Sequence, residues 1–167
     1  MIRIDATNTH FEIANRFEET MRGRVGKLTV SQEWPLRLED TRDKSLVVSL
    51  GGDGTYLRTS SMMDNPDVPL LGINTDPGRS LGILCSKFLY KDRSSPNHIS
   101  KIFDQIEAGK FSWMYRQRMG CEVIQASKPV EQREDFNHLM LNELFMAEKD
   151  SSKTSTYKMT VDGMKLG

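Results

Sequence analysis

Leu46-Val47-Val48-Ser49-Leu50-Gly51-Gly52-Asp53-Gly54-Thr55 joins an apolar run to a glycine-rich turn and leads into a segment with helical character. An apolar run of that length, closed by a turn signal, reads as a buried strand. Gly51, Gly52 and Gly54 let the backbone approach a bulky ligand closely, and Asp53 adds one carboxylate. Backbone N–H groups in such a loop, with the start of the next helix, favour an anion such as a phosphate. A lone acid there repels phosphate unless it has chemistry of its own. It can take a proton from a hydroxyl, or hold a metal that rides on the phosphate. The plainer alternative is an Asp-Gly turn between strand and helix. On these residues alone both readings stand.

Working outward, residues 55–63 read as a helix and Val68-Pro69-Leu70-Leu71-Gly72-Ile73-Asn74 as a second buried strand. Strand, helix, strand in this order predicts a parallel pair with a right-handed crossover. Ligands of such sheets sit at the carboxyl ends of the strands, where residues 51–55 and 74–82 both fall. Upstream, Thr9 and Glu12 have the spacing of a capping box, with Phe11, Ala14, Phe17 and Met21 following at helical intervals and Gly23 as the stop. Ahead of Thr9, Ile2 and Ile4 offer at most a stub of strand. Ile99, Ile102, Phe103 and Ile106 form the apolar stripe of a further helix, ended by Gly109.

Beyond Gly109 the period changes from helical to two. Trp113, Tyr115, Met119, Cys121 and Val123 alternate with polar residues, as in a half-buried strand. Residues 139–147 and 154–161 read as further strands, joined by an antiparallel connection over 148–153, and 128–137 as a mobile polar insert. Trp113 and Tyr115 are expected in the core rather than as a base-stacking platform. Arg116 and Arg118 are expected on a solvated sheet face. The fold class is therefore α/β: a parallel α/β domain over 1–109, then the beginning of an antiparallel β domain over 110–167.

Composition narrows the function. Lys+Arg and Asp+Glu balance at 23 each in 167 residues, so no global field draws the chain to nucleic acid or an anionic membrane. No apolar run approaches a membrane span. Cys85 and Cys121 lie far apart, and His10, His98 and His138 are scattered, so no metal-ligand spacing exists and a reducing compartment is expected. Asp5, Glu12, Glu18 and Glu19 argue against an import peptide at the N-terminus.

The ordered set Gly51-Gly52-Asp53-Gly54-Thr55, Gly72-Ile73-Asn74 and Leu141-Asn142-Glu143 resembles the NAD kinases, and the likeness sharpens toward the mitochondrial-type branch of animals. Asn74-Thr75-Asp76-Pro77-Gly78-Arg79-Ser80-Leu81-Gly82 is similar to that branch's second motif. Gly109-Lys110-Phe111-Ser112-Trp113 with Arg116-Gln117-Arg118 is similar to its linker, and Asn142-Glu143 with Ser151-Ser152 and Tyr157 to its third block. Ile83 stands where many members carry an aromatic residue. Members also open with a full strand. They continue past the position of Gly167 into a Gly/Ser/Thr-rich segment and more strands, so the chain is expected to hold a truncated β domain.

The resemblance implies transfer of the γ-phosphoryl of ATP, with Mg²⁺, to the 2′-hydroxyl of the adenosine ribose of NAD. It implies that Asp53 is the general base, and that Gly51, Gly52, Gly54, Thr55, Asn74, Arg79, Asn142 and Glu143 bind the nucleotides. Arg79 can meet a phosphate or remain a solvated side chain, and Asn74 can simply satisfy a turn. A homodimer in the mitochondrion is implied, with the cytoplasm as the alternative compartment. Two other readings remain: a lipid or other small-molecule kinase sharing the loop, and an inactive nucleotide-binding or partner subunit that pairs with a longer chain.

Overall fold

The computed structural model describes residues 2–31, 39–86, 98–121, 138–144, 146–150 and 152–166. Val123, the 128–137 insert and Ser151 lie outside the described residues. The first helix, α1, runs Ile2–Arg22, so neither the strand stub at Ile2 and Ile4 nor the helix start at Thr9 is found. A stub needs a neighbouring strand to pair its backbone, whereas a helix satisfies its N–H and C=O groups internally, and the segment continues as helix. The stop before Gly23 is as expected, with the Arg24 and Val25 amides turning back onto the Met21 carbonyl at 3.0 and 3.2 Å.

A short helix α2 (Glu39–Arg42) leads into β1 (Val47–Leu50), and α3 (Asp53–Ser61) connects it to β2 (Leu70–Ile73). The two strands pair in parallel, Val47 opposite Leu70 through Leu50 opposite Ile73. A parallel bridge from Ile73 to Ser86, with the Ser86 amide on the Gly72 carbonyl at 2.7 Å, brings the returning chain to the far side of β2. α4 (His98–Glu107) carries its predicted stripe inward, with Ile99, Ile102 and Phe103 buried. It ends at Gly109 (φ +66°), where Gly109 and Lys110 donate to Ile106 and Gln105 at 3.0 and 2.8 Å. That bond pair is the Schellman stop.

The core gathers Phe17 and Met21 of α1, Ile73 of β2, and Ile99, Ile102 and Phe103 of α4. Phe17 and Phe103 meet edge to face at 5.8 Å. Burying such side chains contributes roughly 1.5–3 kcal/mol each, which is what seats α1 and α4 on the sheet. Arg24 adds an exposed link between those helices through Ser100 at 2.7 Å and Asp104 at 2.6 Å, and exposed ion pairs contribute little.

The second half differs most from expectation. β3 (Met119–Cys121) pairs antiparallel with β4 (His138–Met140), and β5 (Met159–Val161) with β6 (Met164–Leu166). Residues 111–117 form no strand, and Trp113 and Tyr115 are 61% and 91% exposed rather than in the core. Alternation of apolar and polar residues gives a segment sidedness, but only a partner strand makes a ladder. The 139–147 strand is correspondingly shortened to the few residues opposite β3. The 154–161 strand is shortened to β5, which turns at Asp162 and Gly163 (φ 50° and 81°) into a hairpin that the Asp-Gly pair encodes. Its Met159, Val161 and Met164 side chains are exposed. Between 146 and 157 the chain does double back. Tyr157 Oη donates to the Met146 carbonyl at 2.7 Å, and the Glu148 amide to Ser155 Oγ at 3.1 Å.

Arg118 is a further correction. It is half-buried, not on a solvated sheet face, and its guanidinium donates to the Ser60 and Met63 carbonyls at 2.8 and 2.6 Å. A cation at the carboxyl end of α3 complements the helix there, bonding the Ser60 carbonyl, which also accepts the Met63 amide at 3.2 Å, and the Met63 carbonyl just past the helix.

Candidate active site

The site forms where β1 and β2 deliver their carboxyl ends. The Gly51 amide donates to the Ile73 carbonyl at 3.0 Å, extending the ladder by one residue before the chain turns. Gly51 then takes φ +154°, and a Cβ there would overlap Thr55 Oγ1 and lie 2.7 Å from Thr55 Cβ. Only glycine fits. Gly52 is the N-cap, with no side-chain cap, and its carbonyl accepts the Tyr56 amide at 3.1 Å. The helix thus opens at Asp53, ahead of the predicted Thr55, because an acid in the first turn complements the positive end of the helix. The first-turn N–H groups have no acceptor within the helix and are available to an anion.

The second loop is built on Asn74, 1% exposed at the end of β2. Asn74 Oδ1 accepts the Asp76 amide at 2.9 Å, and Nδ2 donates to the Ser80 carbonyl at 2.9 Å. The Arg79 and Ser80 amides both return to the Asp76 carbonyl at 3.1 Å. Gly82 (φ +56°) passes so close over Asn74 that a Cβ would lie 2.9 Å from its Cγ and 3.0 Å from its Cβ. This tight crossing aims the next two amides at Asp53. Ile83 N donates to Oδ2 at 3.0 Å and Leu84 N to Oδ1 at 2.8 Å. Each carboxylate oxygen therefore holds one backbone donor and keeps lone-pair capacity for another group.

Cys85 closes the inner side. Its Sγ lies 3.7 Å from the Gly51 carbonyl and 3.9 Å from Asp53 Oδ1. Burial, then the charge of Asp53 and the hydrogen bond to it, push the thiol up to about 11, so it is a neutral donor at physiological pH. The same crowding holds Gly72, where a Cβ would meet Tyr56 Cδ2 at 2.7 Å and Cys85 Sγ at 3.1 Å.

Of the residues singled out in the sequence, Gly51, Gly52, Asp53, Thr55 and Asn74 come together in these two loops. A Cβ on Gly52 would sit 3.2 Å from Ser80 Oγ, which shows how closely the loops stack, while Gly54 faces open space. Arg79 is on the same loop as Ser80, its Nε 3.7 Å from Asp76 Oδ2. Asn142 and Glu143 are exposed in the turn after β4, a strand that packs against α3, and among the described residues no hydrogen bond joins them to Asp53. Ile83, Leu84 and Cys85 line Asp53 without standing out in the sequence. Backbone donors have no side-chain signature, and the signal that could have found them is the glycine just before them. Among the described residues no group of three His, Cys, Asp or Glu could hold a metal ion, and no helix is long and apolar enough to cross a membrane.

This parallel α/β unit gathers a glycine loop, a fixed carboxylate and a helix start at the carboxyl ends of its strands, where ligands of such sheets bind. The family described as the ATP-NAD kinase N-terminal domain matches residues 8–111. The chain belongs to the NAD kinase family. It is similar to NAD kinase 2, mitochondrial, of Xenopus tropicalis, with 31% identity over 67% of this chain and 25% of that protein. The same-named protein of Homo sapiens is 29% identical over 74% of this chain and 34% of its own length. NAD kinase 1 of Prochlorococcus marinus is 31% identical over 72% of this chain and 38% of its own. The chain thus spans between a quarter and about two-fifths of the length of these curated relatives.

Proposed function

We propose that this chain carries the phosphoryl-transfer loops of an ATP-dependent NAD kinase, which converts NAD to NADP at the 2′-hydroxyl of the adenosine ribose. The observation that carries the reading is the Asp53 carboxylate, held at the opening of the glycine loop by the Ile83 and Leu84 amides at 3.0 and 2.8 Å. A fixed acid beside an anion-binding helix start suits a reaction that needs an alcohol deprotonated and a phosphoryl group positioned. In this reading Asp53 takes the ribose proton. The backbone at Gly51, Gly52 and Gly54 and the Thr55 hydroxyl meet phosphate. Arg79, on the same loop as Ser80, adds positive charge for a phosphate. Asn142 and Glu143, in the turn after the strand that packs on α3, hold ribose hydroxyls.

Asn74 is read as shaping the second loop. ATP would enter as its Mg²⁺ complex, the ion supplying counter-charge to the phosphates, and Asp53 is the acid the glycine loop would offer it. Residues 1–109 form the nucleotide-binding domain and 110–167 the start of the β domain. The partners are the two small-molecule substrates and a second copy of the chain in a homodimer. The mitochondrion is the proposed compartment, supported by the names of the animal relatives, with the cytoplasm as alternative.

The test is NADP formation from NAD and MgATP by the purified chain beside Asp53→Asn, both checked for folding by circular dichroism. Turnover in the wild type, reduced about a hundredfold or more in the variant, is expected of a lost general base. Equal turnover in the two would remove Asp53 from the chemistry. A folded wild type with no turnover would overturn the activity of this chain as it stands.

A further inference from the structure

We propose that Asn74 is the positioning residue for Asp53, acting through the Ser80–Gly82 backbone rather than by touching a nucleotide. The inference rests on the kinase reading above for its catalytic consequence, and on hydrogen bonds alone for its mechanical one. At 1% exposure Asn74 offers a ligand no surface. What it offers is a donor and an acceptor on one planar head, and both are used. Oδ1 closes the turn by accepting the Asp76 amide at 2.9 Å. Nδ2 reaches forward to the Ser80 carbonyl, also at 2.9 Å. Two residues later Gly82 lies over the Asn74 side chain with φ +56°, in contact too close for any Cβ. From that crossing the chain emerges with Ile83 N and Leu84 N aimed at the two oxygens of Asp53. A side chain at the end of β2 therefore sets the orientation of a carboxylate at the start of α3, through one tether and one stacking contact.

The chemistry of position 74 is specific. Aspartate has nearly the same shape and can still accept from the Asp76 amide, but it has no N–H to give and sets a carboxylate oxygen against the Ser80 carbonyl. Asn74→Asp should keep the turn and lose the tether. Serine also accepts from the amide two residues on, and is too short to reach Ser80.

The test is amide hydrogen exchange by NMR together with kinetics on the whole chain. In Asn74→Asp, protection at the Ile83 and Leu84 amides should fall about tenfold, as expected for one tethering bond, while the Gly51 amide on the β1–β2 ladder keeps its protection. Asp53→Ala should produce the same loss at the same two amides, showing that the carboxylate is what protects them. In NADP formation kcat should fall about a hundredfold, with KM for NAD and for ATP within twofold of wild type, because the substrates still bind and the base is misplaced.

Unchanged exchange at Ile83 and Leu84 would overturn the proposal, as would lost protection with unchanged kcat. If the wild type forms no NADP but the two amides respond to Asn74→Asp, the kinase reading fails and the mechanical link stands. Should Asn74→Asp not fold, Asn74→Ser supports the same measurements with the turn preserved.

Discussion

The Leu84 amide donates to Asp53 Oδ1 at 2.8 Å across 31 residues of sequence, and the Ile83 amide donates to Oδ2 at 3.0 Å. The acid of the glycine loop is therefore gripped by the backbone of the following loop and, among the described residues, by no neighbouring cation. Backbone donors cannot rotate away as a lysine or arginine can, so the carboxylate has a defined direction before any substrate arrives. Such preorganisation is what a positioned base requires.

Gly51→Ala should be the most damaging small substitution in the glycine loop. The added Cβ overlaps Thr55 Oγ1 and falls 2.7 Å from Thr55 Cβ, and φ +154° is a conformation that alanine rarely adopts. Together the strain and the overlap should cost roughly 2–4 kcal/mol, read as a lower urea midpoint with unchanged slope. Thr55→Gly in the same background should recover the steric part and not the backbone part. A wild-type midpoint for the single variant would refute the tight turn.

Arg118→Met should loosen the seam between α3 and the segment that follows residue 110. Its guanidinium is bonded to the Ser60 and Met63 carbonyls at 2.8 and 2.6 Å, and losing these charge-assisted bonds should cost about 2 kcal/mol. Lysine should restore about half, because both bonds leave one nitrogen, Nη1, which an ammonium can replace, though on a shorter stem. Denaturation of the three proteins side by side checks this. Equal stability of Met and Arg at this position would show the contact to be idle.

Cys85 sets a pH dependence at the alkaline end. Its thiol is raised from an ordinary value of 9.0 to about 11 in the folded chain, chiefly by burial and then by Asp53. Above pH 9 the unfolded thiol gives up its proton while the folded one keeps it, so the unfolded state binds fewer protons and stability falls with pH. The contribution is complete below about pH 9 and lost as pH rises toward 11. Cys85→Ala should flatten that decline in a series of thermal melts. At pH 8 iodoacetamide should label Cys121 well before Cys85, and labelling at equal rates would contradict the burial.

How much could be read from sequence follows from how local each signal is. The 46–55 stretch contained its strand, its turn and its helix within a few residues, and the stripe of Ile99, Ile102, Phe103 and Ile106 needed no distant partner to be recognised. The second half failed where pairing decides. Trp113 and Tyr115 alternate as a strand should, yet no strand lies beside them among the described residues, and they stay exposed. Arg118 reads as a surface charge because its partners are backbone carbonyls far back in the chain. The same holds at the site. Asp53 was legible and the two amides that hold it were not, since every residue but proline carries one.

The bridge between Ile73 and Ser86 has a consequence for biosynthesis. A chain emerging from the ribosome completes β1, the glycine loop and α3 well before residues 83–86 are made. Until Ile83 and Leu84 are made and the chain settles beside β2, the two backbone donors that hold Asp53 are not in place. The acid is synthesised early and becomes an oriented group late, so a nascent chain paused between the two carries the glycine loop without its seated carboxylate.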